Sequence, residues 1–357
     1  MAKVAVLPGD GIGPEIIEAS LPVIEAAAKK ASLKLEFERA LVGGAAYDAT
    51  GHPLPPETLR LCDEAAAIYF GSVGGPKYDK IPDPNLRPER GALLPLRKRY
   101  TLYANVRPAV VYPGLEKRSP IKEDRVKGMD ALVVRELVGG AYFGKKKLEA
   151  DSAYDVISYD REQIERVLHF AFKAATLRRK HLTLVHKANV LLTSVLWKQV
   201  WEKVRKRYPK VKVDDCYVDA FTMYLISKPC EYDVVVTENM MGDIITDEAA
   251  QVTGSIGLIP SASLGERKTK YGVFGLYEPS HGSAPDIAGK GIANPLATIL
   301  SGALMLRYSF GEEKAAVRIE TAVRKVLAKG LRTRDLAGPK GRALSTEAMG
   351  QAVLKAL

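Results

Sequence analysis

The sequence predicts an α/β protein whose strands are mostly parallel, and three observations carry that reading. Short apolar runs recur between longer segments of helical periodicity. The runs are too continuously apolar to alternate, as strands covered on both faces require. The 357 residues, 46% hydrophobic and 27% charged, supply core for two domains or one large one. In chain order, KVAVL at 3–7 is the first strand run, and Pro14 stands at the first helical position of EIIEASLPVIEAAAKK, where its missing N–H costs nothing. AAAIYF at 65–70, ALVVREL at 131–137, LTLVHK at 182–187 and YDVVV at 232–236 are the further strand runs. Between and after them, 161–180 and 312–330 carry apolar stripes at helical spacing, and PLATILSGALMLRYSFG at 295–311 is helix-like. The glycine- and tyrosine-rich segment 138–160 fits no helix; an extended arm or hairpin of the kind oligomers use, or an ordinary long loop, both suit it. No low-complexity linker or internal repeat divides the chain, so domain crossings are short.

The net charge of +11, from 53 Lys and Arg against 42 Asp and Glu, raises the question of a polyanionic partner. The basic residues are dispersed in short clusters, such as Arg178 to His181 and Lys203 to Arg207, without interleaved aromatics. They read as solvated helix faces, and nucleic-acid binding is the remote alternative. No apolar run approaches the roughly 20 residues that span a bilayer. MAKVAVLPGD begins directly on a strand pattern without room for a signal peptide, so a cytoplasmic protein without membrane partners is expected. Cys62, Cys216 and Cys230 are odd in number and lack C-x-x-C spacing, which indicates neither a disulfide framework nor zinc.

After the run at 232–236 comes TENMMGDIITD, in which Asp243 and Asp247 lie four residues apart with no basic residue between them. On a helix this puts two carboxylates on one face, a repulsion of a few tenths of a kcal/mol that something should compensate. Oxygen ligands without His or Cys suit Mg²⁺ or Mn²⁺; a solvated helix start is the plainer reading of the pair taken alone. LPGDGIGPE at 7–15 follows a strand and opens a helix, but its third glycine, Gly13, comes one position early for G-x-G-x-x-G, and no Walker lysine is present. A tight strand-to-helix turn explains it better. EPSHGSAPDIAGKGIANP at 278–295 is a structured loop presenting His281, Asp286 and Asn294. An acid in a cofactor loop accepts from ribose hydroxyls and repels a 2′-phosphate, which favours NAD over NADP. Arg97 and Arg107 bracket YTLYANV, and Arg135 ends a strand; three guanidinium forks beside a metal describe a receptor for a di- or tricarboxylate, although each alone reads as a surface residue.

RPERGALLPLRK, ANVRPA, RELVGGAYFG, KANV, YVDA, GDIITDEA, GSIGLIPSASL and HGSAPDIAGKGIANP together resemble the motifs of the decarboxylating β-hydroxyacid dehydrogenases, over essentially the full chain and in the wording of the leucine-biosynthetic branch. The resemblance implies a two-domain isopropylmalate dehydrogenase-like fold with mostly parallel strands, not a Rossmann fold. It implies a cofactor-binding first domain of 1–102 plus 256–357, and a second domain of 103–255 holding the metal site, the dimer contacts and an arm at about 138–160. It further implies a homodimer with shared active sites that oxidatively decarboxylates 3-isopropylmalate, a small dicarboxylate, with NAD and Mg²⁺ or Mn²⁺. By motif, Arg97, Arg107 and Arg135 clamp the malate carboxylates; Asp219, Asp243 and Asp247 hold the metal; Lys187 and Tyr142 are the acid/base pair, with Asp219 assisting. Glu89, Leu93 and Leu94, with Val190 of the neighbouring subunit, line the pocket for the isopropyl group and nicotinamide. Asp286 and Asn294 take the adenosine end, with His281 and Gly282 in the same loop.

A lysine acting as base must have its pKa depressed toward neutrality, and a dication with arginines nearby is a physical route to that. Glu89, Leu93 and Leu94 favour an apolar substituent at C3, whereas isocitrate would need a polar partner there. A sister enzyme acting on homoisocitrate, isocitrate or another 3-alkylmalate is the runner-up. The chain departs from the leucine branch at His186, where an aspartate usually precedes the lysine; this wording leans toward the isocitrate and homoisocitrate branches. A strand-end histidine pointing away from the site is its plainer reading. Val138 and Ala141, smaller or less polar than usual, touch the arm more than the chemistry.

Overall fold

The computed structural model describes residues 1–338 and 341–357. In chain order its strands are β1 (Ala2–Gly9), β2 (Leu35–Arg39), β3 (Ala67–Ser72), β4 (Ala104–Val110), β5 (Asp130–Glu136), β6 (Lys146–Leu148), β7 (Ala153–Asp155), β8 (His181–His186), β9 (Lys212–Tyr217), β10 (Val234–Thr237), β11 (Pro260–Lys268) and β12 (Val273–Pro279). The fold is mixed α/β and mostly parallel. It divides into one unit of 1–102, 112–118 and 255–357, and another of 103–111 and 119–254.

In the first unit the strands run β2-β1-β3-β12-β11, parallel except for the β11–β12 pair. This order is not the 3-2-1-4-5-6 of a Rossmann sheet. β3 is buried along its whole length and β1 nearly so, which is why these runs are apolar without alternation. The helix after β1 spans Gly13–Lys30, so Pro14 occupies its second position, one later than the spacing predicts, and still within the turn whose N–H groups have no helical partner. The glycines of LPGDGIGPE serve the turn: Gly9 and Gly11 have φ of 72° and 59°, and a Cβ on Gly9 would lie 1.9 Å from the Ser72 carbonyl oxygen. Between them, Asp10 accepts the backbone N–H groups of Gly44 and Ala45 at 2.7 Å each and of Gly74 at 2.8 Å. One carboxylate thus caps the helix Gly43–Thr50 from a distance and ties down the loop after β3.

In the second unit the order is β4-β5-β10-β8-β9, parallel except for β4 with β5. β5, β8 and β10 are buried almost throughout, and β9 is a half-exposed edge strand. The helix Arg161–Thr176 begins in a capping box: Asp160 accepts from the Gln163 N–H, and the Gln163 side chain accepts from the Asp160 N–H. Within 138–160 the chain forms a hairpin, β6 against β7, of the extended kind weighed above. Leu148, Tyr154 and Val156 on or beside it are exposed. So are Met223, Tyr224 and Ile226 of the helix Val218–Ser227, whose other face buries Phe221 and Leu225.

Candidate active site

The helix Asn239–Thr253 starts where β10 ends and is capped by Glu238, whose carboxylate accepts from the Met240 and Met241 N–H groups. Four-residue spacing brings Asp243 and Asp247 to one side of it. The compensation this repulsion demands is supplied by two buried guanidiniums. Arg135, at 1% side-chain exposure, donates to Asp243 through Nη1 and to the Asn239 amide oxygen through Nε and Nη2, at 2.9 and 2.6 Å. Arg107 Nη2 lies 3.4 Å from the same Asp243 oxygen, while its other nitrogens donate to Asn105 and Thr246. Tyr142 donates its hydroxyl to the second Asp243 oxygen at 3.0 Å, with the Arg135 guanidinium 5.5 Å from its ring centroid. Burial first, then the neighbouring Asp243 charge, raises the Tyr142 pKa above that of an ordinary phenol. Burial and the like charge of Asp243 likewise outweigh the pull of Arg107 and Arg135 and raise Asp247.

Residues to which sequence reasoning gave no role also build this cluster, Asn105 and Thr246 on Arg107, and Asn239 and Gly242 on Arg135. Asn239 orients Arg135 and donates its amide N–H₂ to the Leu137 and Gly139 carbonyls, which ties the helix start to the root of the Tyr142 segment. Gly242 lets the helix approach Arg135, since a Cβ there would come within 2.7 Å of Arg135 Cγ. Glycine in a helix interior costs about 1 kcal/mol against alanine and so signals a close contact, but the sequence does not say with what.

Lys187 and Asp219 form a second centre in the same unit, Nζ to Oδ1 at 2.9 Å, and the lysine's hydrogen bond holds the Asp219 carboxyl below its usual range. Val190, on the turn after Lys187, is 68% exposed, and Leu192 beside it 84%. Among the described residues no three His, Cys, Asp or Glu side chains converge as a metal site, so Asp219 does not join Asp243 and Asp247 within one chain. Two hard carboxylates one helical turn apart still fit two positions around a divalent cation.

In the other unit, Arg97 is buried and paired through Nη2 with Glu278 at 3.0 Å, while its Nε is buried without a hydrogen-bond partner, a donor ready for an anion. Glu89 is exposed and approaches Gly74 so closely that a Cβ there would meet its Oε1; burial of part of the group raises its pKa. Leu93 and Leu94 are half-buried. A cavity of about 350 Å³ is lined by Gly9, Asp10, Gly11, Gly74, Gly75 and Pro285, among others. The loop carrying His281 is bonded to its wall, with Ser283 donating to the Gly74 carbonyl and accepting from the Ile12 N–H. Asp286 and Gly282 are exposed on that loop. Burial lowers the His281 pKa, and the Nε2 of that ring is buried without a partner. Asn294 is buried, its amide donating to Asp335 and accepting from the Leu296 N–H at the start of the following helix. Asp10 and Gly74–Gly75 were given no role; Asp10 lies within LPGDGIGPE, read above as a turn, and the signal of the glycines is GSVGGP directly after a strand.

The model for isocitrate/isopropylmalate dehydrogenases matches residues 3–353. A curated relative from Moorella thermoacetica, named 3-isopropylmalate dehydrogenase, is 53% identical over 100% of this chain and 99% of its own. One of the same name from Vibrio cholerae is 52% identical over 98% of this chain and 96% of its own. Among solved structures, isocitrate dehydrogenase from Methylococcus capsulatus superposes with a TM-score of 0.87 at 36% identity, covering 100% of this chain and 99% of that one. A β-decarboxylating dehydrogenase from Thermococcus kodakarensis gives 0.80, also at 36%, covering 100% and 96%.

The site geometry yields two stability predictions. Gly242→Ala forces its methyl into Arg135 and is expected to lose about 1–3 kcal/mol in urea unfolding, the usual cost of overpacking; an unchanged midpoint would show that Arg135 yields freely. Glu136, buried next to Arg135 and accepting from the Val138 and Gly139 N–H groups, is raised by burial from 4.5 to about 7. Since the folded value is the higher one, its contribution is full below pH 4.5 and lost as pH rises through 7. Glu136→Gln therefore gains stability relative to the parent between pH 4.5 and 7, and parallel urea-midpoint curves would contradict this.

Proposed function

The chain belongs to the isocitrate/isopropylmalate dehydrogenase family, and from that premise we propose that it converts 3-isopropylmalate to 4-methyl-2-oxopentanoate by NAD-dependent oxidative decarboxylation. The observation that carries the chemistry is Asp243 shared by Arg107, Arg135 and Tyr142, which puts anion binding, a metal ligand and a proton donor within one hydrogen-bonded cluster. The leucine-pathway substrate follows from the curated relatives named for it at 52–53% identity over nearly the whole chain, and from the apolar Leu93 and Leu94 beside Glu89. Asp286, an exposed acid in the loop bordering the glycine-lined cavity, supports NAD rather than NADP.

The active assembly is a homodimer. The helix Val218–Ser227 is apolar on its buried and exposed faces alike, and Ile244, Val190, Leu192 and the hairpin's Leu148 add uncovered apolar surface in the same unit. The second copy completes the metal site: Asp219, which stands apart from Asp243 and Asp247 in one chain, is supplied to them by the partner together with the Lys187 bonded to it.

A divalent cation, Mg²⁺ or Mn²⁺, on Asp243, Asp247 and the second copy's Asp219 would polarise the substrate's C2 oxygen, and the nicotinamide would accept hydride from C2. The side chains do the rest. Arg107 and Arg135 bind carboxylate and neutralise charge, and the open Nε of Arg97 makes it a third anion donor. Lys187 takes the proton from the C2 hydroxyl, held for it by Asp219. After the carboxylate on C3 leaves as CO₂, Tyr142 delivers a proton to C3. Its raised pKa keeps it a phenol until that step, and Asp243 orients it.

NADH formation at 340 nm is expected with 3-isopropylmalate, NAD⁺ and Mg²⁺, to exceed that with isocitrate, homoisocitrate or malate, and to stop with EDTA. Higher turnover on isocitrate or homoisocitrate would move the chain to a sister activity. Lys187→Ala and Tyr142→Phe should each lower kcat at least about 10²-fold with little change in NAD affinity. A variant that turns over like the parent removes that residue from the mechanism.

A further inference from the structure

His186, the residue at which the chain departs from its leucine-branch resemblance, is no idle strand end. It is 2% exposed, and both ring nitrogens are bonded. Nδ1 accepts the Ala188 N–H at 3.1 Å, so the proton resides on Nε2, which donates to Asp215 Oδ2 at 2.7 Å. The first bond lies inside the turn that carries Lys187; that turn is closed by the Val190 and Leu191 N–H groups on the Lys187 carbonyl and by the Lys187 N–H on Ser194. The second reaches the edge strand β9, where Asp215 also accepts from Lys198 at 2.9 Å. Two residues beyond Asp215, Tyr217 packs edge-on against the imidazole, 5.2 Å between ring centroids, and is the N-cap of the helix whose first turn holds Asp219.

We propose that His186 and Asp215 act as one positioning clamp that sets Lys187 against Asp219, holding the proton acceptor and its carboxylate partner in one geometry for the reaction. The inference rests on the roles proposed above for Lys187 and Asp219; His186 itself is bonded to Ala188 and Asp215, and Asp215 to His186 and Lys198. β8 and β9 already pair in register as far as His186 and Tyr217, and the imidazole adds a side-chain link between the Lys187 turn and the strand that leads into the Asp219 helix. With the imidazole between them, displacement of one carries the other. An aspartate at 186 could supply the acceptor for the Ala188 N–H, yet it would be too short to reach Asp215 and would face it with a like charge. Histidine here and aspartate at 215 are therefore read as a matched pair.

The test uses the intact protein with His186→Asn, which keeps an acceptor for Ala188 but loses the reach to Asp215, along with Asp215→Ala, the double variant and His186→Gln, which can still reach Asp215. Hydrogen exchange of peptides covering 187–191 and 216–220 is followed beside steady-state kinetics. Each of His186→Asn and Asp215→Ala is expected to lower kcat by about 10-fold, with KM for NAD⁺ and for isopropylmalate within about twofold, as misplacement of a reacting group does. The double variant should fall no further than either single one, because the two act as a unit. Exchange should quicken in both segments, and His186→Gln should recover most of kcat. Unchanged kcat in His186→Asn, losses that multiply in the double variant, or faster exchange confined to 187–191 would overturn the clamp. Lys187→Ala is run alongside: if it turns over like the parent, the role of Lys187 fails, and the exchange of the two segments alone then decides whether the clamp couples them.

Discussion

The second unit is organised around a charge balance at Asp243. Two guanidiniums cannot be buried at under a tenth of their exposure without acceptors, and the acceptors are Asp243, the Asn239 and Asn105 amides and the Thr246 hydroxyl. Satisfying them fixes the helix Asn239–Thr253 against β4 and β5, requires glycine at 242 and draws the Tyr142 hydroxyl onto the same carboxylate. The arrangement that stabilises this unit thus also holds one face of two carboxylates and two arginines toward a common anion and cation chemistry. Removing Asp243 would take from two buried guanidiniums the carboxylate they share, which is why its structural and chemical roles cannot be separated.

Much of this was legible because it is local. Strands buried on both faces write continuous apolar runs, and the burial of β3, β5 and β10 shows why 65–70, 131–137 and 232–236 carry no alternation. On a helix the spacing of Asp243 and Asp247 called for a compensating charge, and the helix and the charge are both present. Legibility ended where contacts run across the chain. Asn239 reads as an ordinary helix start until Arg135 is seen against it, and Asp10 as a turn residue until the N–H groups of Gly44, Ala45 and Gly74 are seen to meet on its carboxylate. His186 looked like a strand end for the same reason: its partner, Asp215, lies on a neighbouring strand in a run with no period of its own.

One chain presents the chemistry in parts. Asp243 and Asp247 stand with the arginines, and Lys187 and Asp219 stand together near exposed Val190 and Leu192. The second copy proposed above would cover the apolar helix face and complete the carboxylate set. On this proposal dimerisation and catalysis are the same event.

The most direct measurement of that claim is subunit complementation. Tyr142→Phe and Lys187→Ala proteins are prepared separately, mixed, dissociated with mild denaturant, reassembled and assayed for isopropylmalate-dependent NADH formation. If each site takes Tyr142 from one chain and Lys187 from the other, hybrid dimers contain one intact site, and the mixture recovers activity far above that of either parent treated alone. Hybrids confirmed by mass spectrometry that remain as inactive as their parents would place both residues on the same chain and contradict the shared site.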